Sequence, residues 1–241
     1  MEQNLIKTEP IGNGFIIHTS DEYRFGTDAI ILHSFAKPKP QDKICDLGCG
    51  GGIIPLLFLR DGAKGEVFGV DIQKNACEIA EMAARENGFD NLKIINADLR
   101  NLKGILPFSE FDVVTCNPPY KKKGAGITNP NSARHIARHE EECDMEDVCA
   151  AASKLLRSHG KLCICHRPER LCDIIEAMRK EKIEPKILRL VCQRKGEEPW
   201  LVLVEGRRDG KSGIRILPTL YVEENGDLSQ EMKEIYGVYK Y

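Results

Sequence analysis

Four glycines fall within seven residues in Asp46-Leu47-Gly48-Cys49-Gly50-Gly51-Gly52, between two apolar runs, Lys43–Leu47 and Ile53–Leu59. Glycine allows the backbone angles of a tight turn and puts no side chain between the chain and a ligand. A strand that passes through such a turn straight into a helix is the opening unit of a nucleotide-type α/β fold. Alone, the stretch would also serve as a flexible strand-to-helix turn. Its setting decides between the two readings.

After it, short apolar runs alternate with amphipathic stretches. Glu66–Asp71 reads as a strand; in Gln73–Asn87, Ala76, Ile79, Ala80 and Ala83 fall on one helical face, and Gly88 stops the helix. Leu92–Asn96 and Phe111–Cys116 supply two more strands. Asp144 can cap a helix in which Met145, Val148, Ala152, Leu155 and Leu156 share a face, ended by Ser158-His159-Gly160. Lys161–Cys165 is the next strand, and Pro168 suits the first turn of a helix buried through Leu171, Ile174, Ile175 and Met178. Lys186–Cys192 and Trp200–Glu205 close the pattern. Only Gln193–Pro199 joins them, too short for a helical crossover, so they form an antiparallel hairpin. The alternation implies a mostly parallel sheet covered on both faces.

The chain has 241 residues, enough to bury a full sheet core, and a net charge of -2 gives no overall attraction for nucleic acid. Binding of that kind would need local basic patches. The first residues carry no apolar leader pattern, and no apolar run reaches membrane-spanning length. The ten cysteines include no C-x-x-C pair, and the six histidines do not fall at zinc-ligand spacing with them. Cys45, Cys116, Cys163, Cys165 and Cys192 sit inside strand-like runs, as buried free thiols do in a reducing compartment. A cytoplasmic protein without metal is expected.

Asn117-Pro118-Pro119-Tyr120 follows the strand Phe111–Cys116. Its two prolines fix the turn and bar the residue before each from helix. The Asn117 amide oxygen and the Pro118 carbonyl can then accept two hydrogen bonds from one planar NH2 group. Tyr120 offers a flat face for a heterocycle. The competing reading is a rigid Pro-Pro turn capped by an asparagine.

Asp71 ends the strand after the glycines, about 20 residues on, where a carboxylate can accept ribose hydroxyls of a nucleoside cofactor. A dinucleotide fingerprint is broken, because the sixth position counted from Gly48 is Ile53. Asp46, Gly48, Gly50 and Gly52 form D-x-G-x-G-x-G, which resembles the first motif of S-adenosylmethionine-dependent methyltransferases. The resemblance implies a Rossmann-like seven-stranded sheet with the C-terminal hairpin. It also implies S-adenosyl-L-methionine as cofactor, with S-adenosyl-L-homocysteine as product. Asp98 takes the place of the acid that meets the adenine and completes the set; the competing reading is a turn-forming Asp. Ile72 and Leu99, beside Asp71 and Asp98, join the expected cofactor set, as does Asn117. An exocyclic amine conjugated with its ring is a weak nucleophile. Acceptors at Asn117 and Pro118 would draw it toward a tetrahedral nitrogen and aim its lone pair, catalysis by orientation and polarisation. No general base is evident.

Tyr23-Arg24-Phe25-Gly26-Thr27-Asp28-Ala29 leads into an apolar helix with Thr27 as its expected cap. With the glycine motif, Asn117–Tyr120 and His166-Arg167-Pro168-Glu169-Arg170, it resembles the bacterial tRNA1(Val) (adenine(37)-N6)-methyltransferases along nearly the whole chain. That likeness places Thr27 and Asp28 at the cofactor and implies tRNA, through its anticodon stem-loop, as partner. It divides the chain into residues 1–40, packing on the cofactor site, and 41–241, the class I methyltransferase domain, with Lys37-Pro38-Lys39-Pro40 as a stiff connector. Lys121, Lys122, Lys123, Arg134 and Arg138 cluster around the target turn and suit RNA phosphates. Later basic residues, Arg207, Arg208, Lys211 and Arg215, read equally well as solvated surface. A release-factor glutamine methyltransferase would use the same pocket, but only about 40 residues precede the glycines, too few for the helical domain those enzymes add. Other base methyltransferases, and a non-catalytic RNA-binding protein on this scaffold, also remain open. So does the oligomeric state.

Overall fold

The computed structural model describes residues 6–118 and 144–237. The chain opens with a hairpin, β1 (Lys7–Gly12) and β2 (Phe15–Thr19), followed by α1 (Thr27–Ala36). Five strand units come next: β3 (Ile44–Leu47), α2 (Ile53–Arg60), β4 (Val67–Asp71), α3 (Lys74–Glu86), β5 (Leu92–Asn96), β6 (Phe111–Cys116), α4 (Met145–Leu155), β7 (Leu156–His166) and α5 (Leu171–Lys180). The hairpin β8 (Ile183–Cys192) and β9 (Pro199–Arg208) follows, then the two-residue strands β10 (Arg215–Ile216), β11 (Leu220–Tyr221), β12 (Glu223–Glu224) and β13 (Asp227–Leu228), and α6 (Gln230–Tyr236).

The main sheet runs β10-β8-β9-β7-β6-β3-β4-β5. From β5 to β7 all pairs are parallel, while β9 lies antiparallel between β7 and β8. The expected seven strands are therefore present, in mostly parallel α/β arrangement. β10 and β11 extend the sheet by pairing with β8.

Strand side chains alternate between two apolar layers, as the period of 2 requires. On β7, Cys163 and Cys165 face the layer built by α1 and α2, and Leu162 and Ile164 face the layer under α4 and α5. Every residue of α2 is buried, which explains why its sequence shows no polar face. Asp144 caps α4 as expected, in a reciprocal capping box with Asp147. All five cysteines expected inside strands are buried.

The first hairpin was not anticipated, although its turn is written in the chain. Asn13 and Gly14, at φ 55° and 80°, form the two-residue turn between Gly12 and Phe15. The hairpin docks on the end of α3, where the Asn87 side chain accepts from Ile16 N at 2.8 Å and donates to Ile16 O at 2.6 Å. Ile11 and Ile17 enter the same apolar layer as α1 and α2.

One expectation needs correction. Thr27 does not cap α1: the cap position is Gly26, without a side-chain cap bond, and the Thr27 hydroxyl shares a 2.9 Å hydrogen bond with Tyr236 of α6. Among the described residues, no helix is long and apolar enough to cross a membrane.

Candidate active site

β3 sits between β4 and β6, so the chain leaves β3 toward one side of the sheet and reaches β6 on the other. Ligands of open α/β sheets bind outside the strand ends at such a reversal. Leu47 pairs with Cys116, so the glycine loop and Asn117 leave the sheet side by side. Together with the segment before α1 they wall a cleft of about 220 Å³, lined among others by Tyr23, Asp28, Asp46, Gly48, Gly50 and Asn117.

The glycines divide into two tasks. Gly48 and Gly50 have φ of +72° and +52°, and a Cβ on either would meet nothing within 4 Å, so bare backbone faces the cleft. Gly52, at φ +84°, turns toward α3, where a Cβ would come within 2.9 Å of Ala80 Cβ. Gly52 lets the two helices pack and does not line the cleft. Cys49 is turned inward under the loop; a Cβ on Gly69 of β4 would lie 2.8 Å from its Sγ. Burial pushes the Cys49 thiol well above its usual range, so this sulfur packs and stays protonated.

Asp71 braces the loop from β4. Its carboxylate accepts from Gly50 N at 2.8 Å and from Gln73 N at 2.9 Å. Asn96 donates to the Asp71 and Ile72 carbonyls at 3.0 Å each, which leaves the Ile72 side chain 42% exposed at the strand end. Asp98 makes the turn its sequence allowed: it caps a short 3-10 turn at Leu99–Asn101 and holds the Arg100 guanidinium at 2.6 Å. Leu99 packs against the layer under α4.

Asp46 is 1% exposed and accepts from Thr115 Oγ1 of β6 at 2.5 Å. Burial raises its pKa to about 7, against the lowering effect of the Thr115 bond and with a further push from Asp71. A carboxyl poised there can ionise when a cation arrives.

Asn117 is held from two sides. Its Nδ2 donates to Asp28 Oδ2 at 3.2 Å, and its Oδ1 accepts from the Cys165 thiol of β7 at 3.1 Å. Pro118 lines the same cleft. His166, which ends β7, accepts the Arg167 backbone N–H on Nδ1 at 2.8 Å. Burial, helped by Arg170 and Arg167, lowers its pKa to about 4, so at neutral pH its ring is uncharged.

The structure thus brings together Asp28, Asp46, Gly48, Gly50, Asn117 and Pro118, with Asp71 directly behind the loop. Thr27 and Gly52 are turned to packing duties. Tyr120, Lys121, Lys122, Lys123, Arg134 and Arg138 lie outside the described residues. Arg207 pairs with Glu205 at 2.9 Å, and Arg208 donates to the carbonyls of Ser153 and Leu156 at the end of α4. Those two basic residues serve the fold. Cys165 was not read as a site residue; its place beside Asn117 follows from the β6–β7 pairing, which no local motif displays. Among the described residues, no three His, Cys, Asp or Glu side chains are placed to hold a metal.

The family model for a methyltransferase domain matches residues 38–211, from the connector through both strands of the C-terminal hairpin. The chain belongs to this methyltransferase family. Among its relatives, the tRNA1(Val) (adenine(37)-N6)-methyltransferase of Porphyromonas gingivalis is 31% identical over 166 residues, 66% of this chain and 64% of that protein. The protein of the same name from Tolumonas auensis is 30% identical over 58% of each chain. The match thus spans a little under two thirds of these relatives' length. Of the solved structures, a predicted O-methyltransferase of Agrobacterium tumefaciens superposes with a TM-score of 0.72 at 21% identity, covering 88% of this chain and 96% of that one. The geranyl diphosphate C-methyltransferase of Streptomyces coelicolor reaches 0.55 at 14% identity, over 76% and 80% of the two chains. At these identities the structural likeness is one of fold, and it assigns the methyltransferase its sheet rather than its substrate.

Proposed function

We propose that this methyltransferase moves a methyl group from S-adenosylmethionine to N6 of an adenine in tRNA, at position 37 beside the anticodon of a valine tRNA. The observation that carries the reading is Asn117, an amide oxygen next to Pro118 at the mouth of a cleft floored by bare glycine backbone. The names of the sequence relatives support tRNA as the substrate.

The residues present suit the cofactor. Gly48 and Gly50 leave a cradle that any side chain would fill. Asp46 suits an ammonium group and the exposed Ile72 a purine face; the Asp71 oxygens keep lone pairs beyond the Gly50 and Gln73 bonds and suit hydroxyls, while Asp98 and Leu99 are assigned to the purine end on their position in the sequence. When bound, the cofactor supplies an electrophilic methyl group that an amine nitrogen can attack, with S-adenosylhomocysteine as the leaving thioether and the extra amine proton lost to solvent after transfer.

Asn117 Oδ1 and the Pro118 carbonyl accept the two amine hydrogens, which turns the nitrogen lone pair out of conjugation. In a cleft of low dielectric, such fixed dipoles act without reorganisation during the reaction. Tyr120 is assigned to stacking on the base, and Lys121, Lys122, Lys123, Arg134 and Arg138 to phosphates, on their position in the sequence.

Labelled S-adenosylmethionine offered with tRNA that lacks the modification, followed by nucleoside mass analysis, tests the reading. Labelled N6-methyladenosine from a valine tRNA is the expected result. Label in a release-factor glutamine, with none in tRNA, would replace it.

A further inference from the structure

The Asn117 amide has two unlike ends, and the reaction needs a particular one toward the substrate. Its oxygen attracts the hydrogens of an amine, whereas its NH2 group would repel them. Rotating the group by half a turn exchanges the two with almost no change in shape.

We propose that Asp28 and Cys165 are positioning residues that lock the Asn117 amide with its oxygen toward the substrate amine, an assignment that rests on the amine-methylation reading above. Asp28 is an acceptor at the Nδ2 end, at 3.2 Å, and Cys165 a donor at the Oδ1 end, at 3.1 Å. A flipped amide would set its oxygen against the Asp28 carboxylate and its NH2 against the thiol hydrogen. The charged partner dominates, since hydrogen bonds to ionised groups are roughly twice as strong as neutral ones. A carbonyl oxygen has two lone pairs, so the Cys165 contact is compatible with a second donor at Oδ1.

The turn before α1 is shaped for this task. Asp28 Oδ1 takes the Ala29 backbone N–H at 2.9 Å, which folds the carboxylate back and turns Oδ2 toward Asn117. A Cβ on Gly26 would lie 2.6 Å from Asp28 Oδ1, so glycine there makes the room. Thr27, between them, anchors the start of the helix on Tyr236. Each residue of Gly26-Thr27-Asp28 thereby has a distinct part in holding Asn117.

The lock makes an inverted prediction for two variants. In Asp28→Asn, the new side chain must give its oxygen to the Ala29 N–H. Its NH2 then faces Asn117 and favours the flipped, unproductive amide. Asp28→Ala removes the lock without imposing the wrong state. The milder substitution by shape is therefore the more damaging: kcat should fall about a hundredfold in Asp28→Asn and about tenfold in Asp28→Ala. Because Asp28 also lines the cleft, kcat is read at saturating cofactor, and circular dichroism with thermal unfolding should match the wild type, which shows that both fold. If Asp28→Ala is as slow as Asp28→Asn at saturating cofactor, the lock is overturned. Nitrogen-15 NMR of the Asn117 side-chain amide, on protein without substrate, tests the lock independently of turnover. Asp28→Asn should displace both amide proton resonances, and resonances that stay in place would overturn the proposal. Wild-type protein that methylates no amine would refute the proposed reaction, and the resonances would still decide the lock.

Discussion

The two halves of the strand-end edge hold their polar groups in different ways. On the β3-β4-β5 side the acids are tied by backbone amides: Asp71 by those of Gln73 and of Gly50, 21 positions away, and Asp98 by that of Arg100. On the β6-β7 side Asn117 is tied by side chains that lie 89 and 48 positions away. The first half is complete once β3 and β4 have paired, apart from the Asp46 bond to Thr115. The second exists only when α1, β6 and β7 have come together, so a small shift of any of them resets the reacting group. In this molecule the cradle is local and the reactive centre is tertiary.

Substitutions on either side should separate the two. The largest effect falls on the tertiary side: Asn117→Ala should lower single-turnover methyl transfer about a thousandfold, with cofactor affinity by calorimetry nearly intact. Equal loss of both would mean that the halves are not independent. On the local side, Asp71→Ala should weaken cofactor binding roughly 10- to 100-fold, as for lost hydrogen bonds to a charged group. Transfer at saturating cofactor should persist; if it disappears, the loop also shapes the reacting end.

The smallest effect belongs to Asp46, which joins the halves through Thr115. Its folded pKa is about 7 against an ordinary 3.8, so the folded state binds the extra proton between those values. Stability is then highest below the lower value and declines as pH rises through about 7. Between pH 6 and pH 8 the wild type should lose about 1 kcal/mol relative to Asp46→Asn in urea titrations. Parallel pH curves for the two proteins would show that Asp46 is ionised on both sides of that range.

The same division explains what could be read from the chain. The parallel sheet, the closing hairpin and the Asp144 cap were legible because each is written in local periodicity or turn chemistry. Asn13-Gly14 was just as local, but the exposed run Lys7–Pro10 beside it shows no apolar alternation to mark a strand. The C-terminal strands are two residues long and carry no period at all. Thr27 was misread because threonine is a common cap. Here Gly26 takes the position, and the reason, the returning Asp28 carboxylate, is visible only in space. The glycine loop and Asn117 were legible as motifs. Which glycine is bare and which packs depends on Ala80 of α3, and what orients Asn117 depends on Asp28 and Cys165.

The hydrogen bond between Thr27 and Tyr236 spans 209 positions. A ribosome adds ~5–20 residues per second, so the first partner waits about 10–40 s for the second to be made. The glycine cradle can take shape early in that interval. The brace on the Asp28 turn arrives only with the last helix, so a nascent chain would hold its cofactor well before it could aim the methyl group.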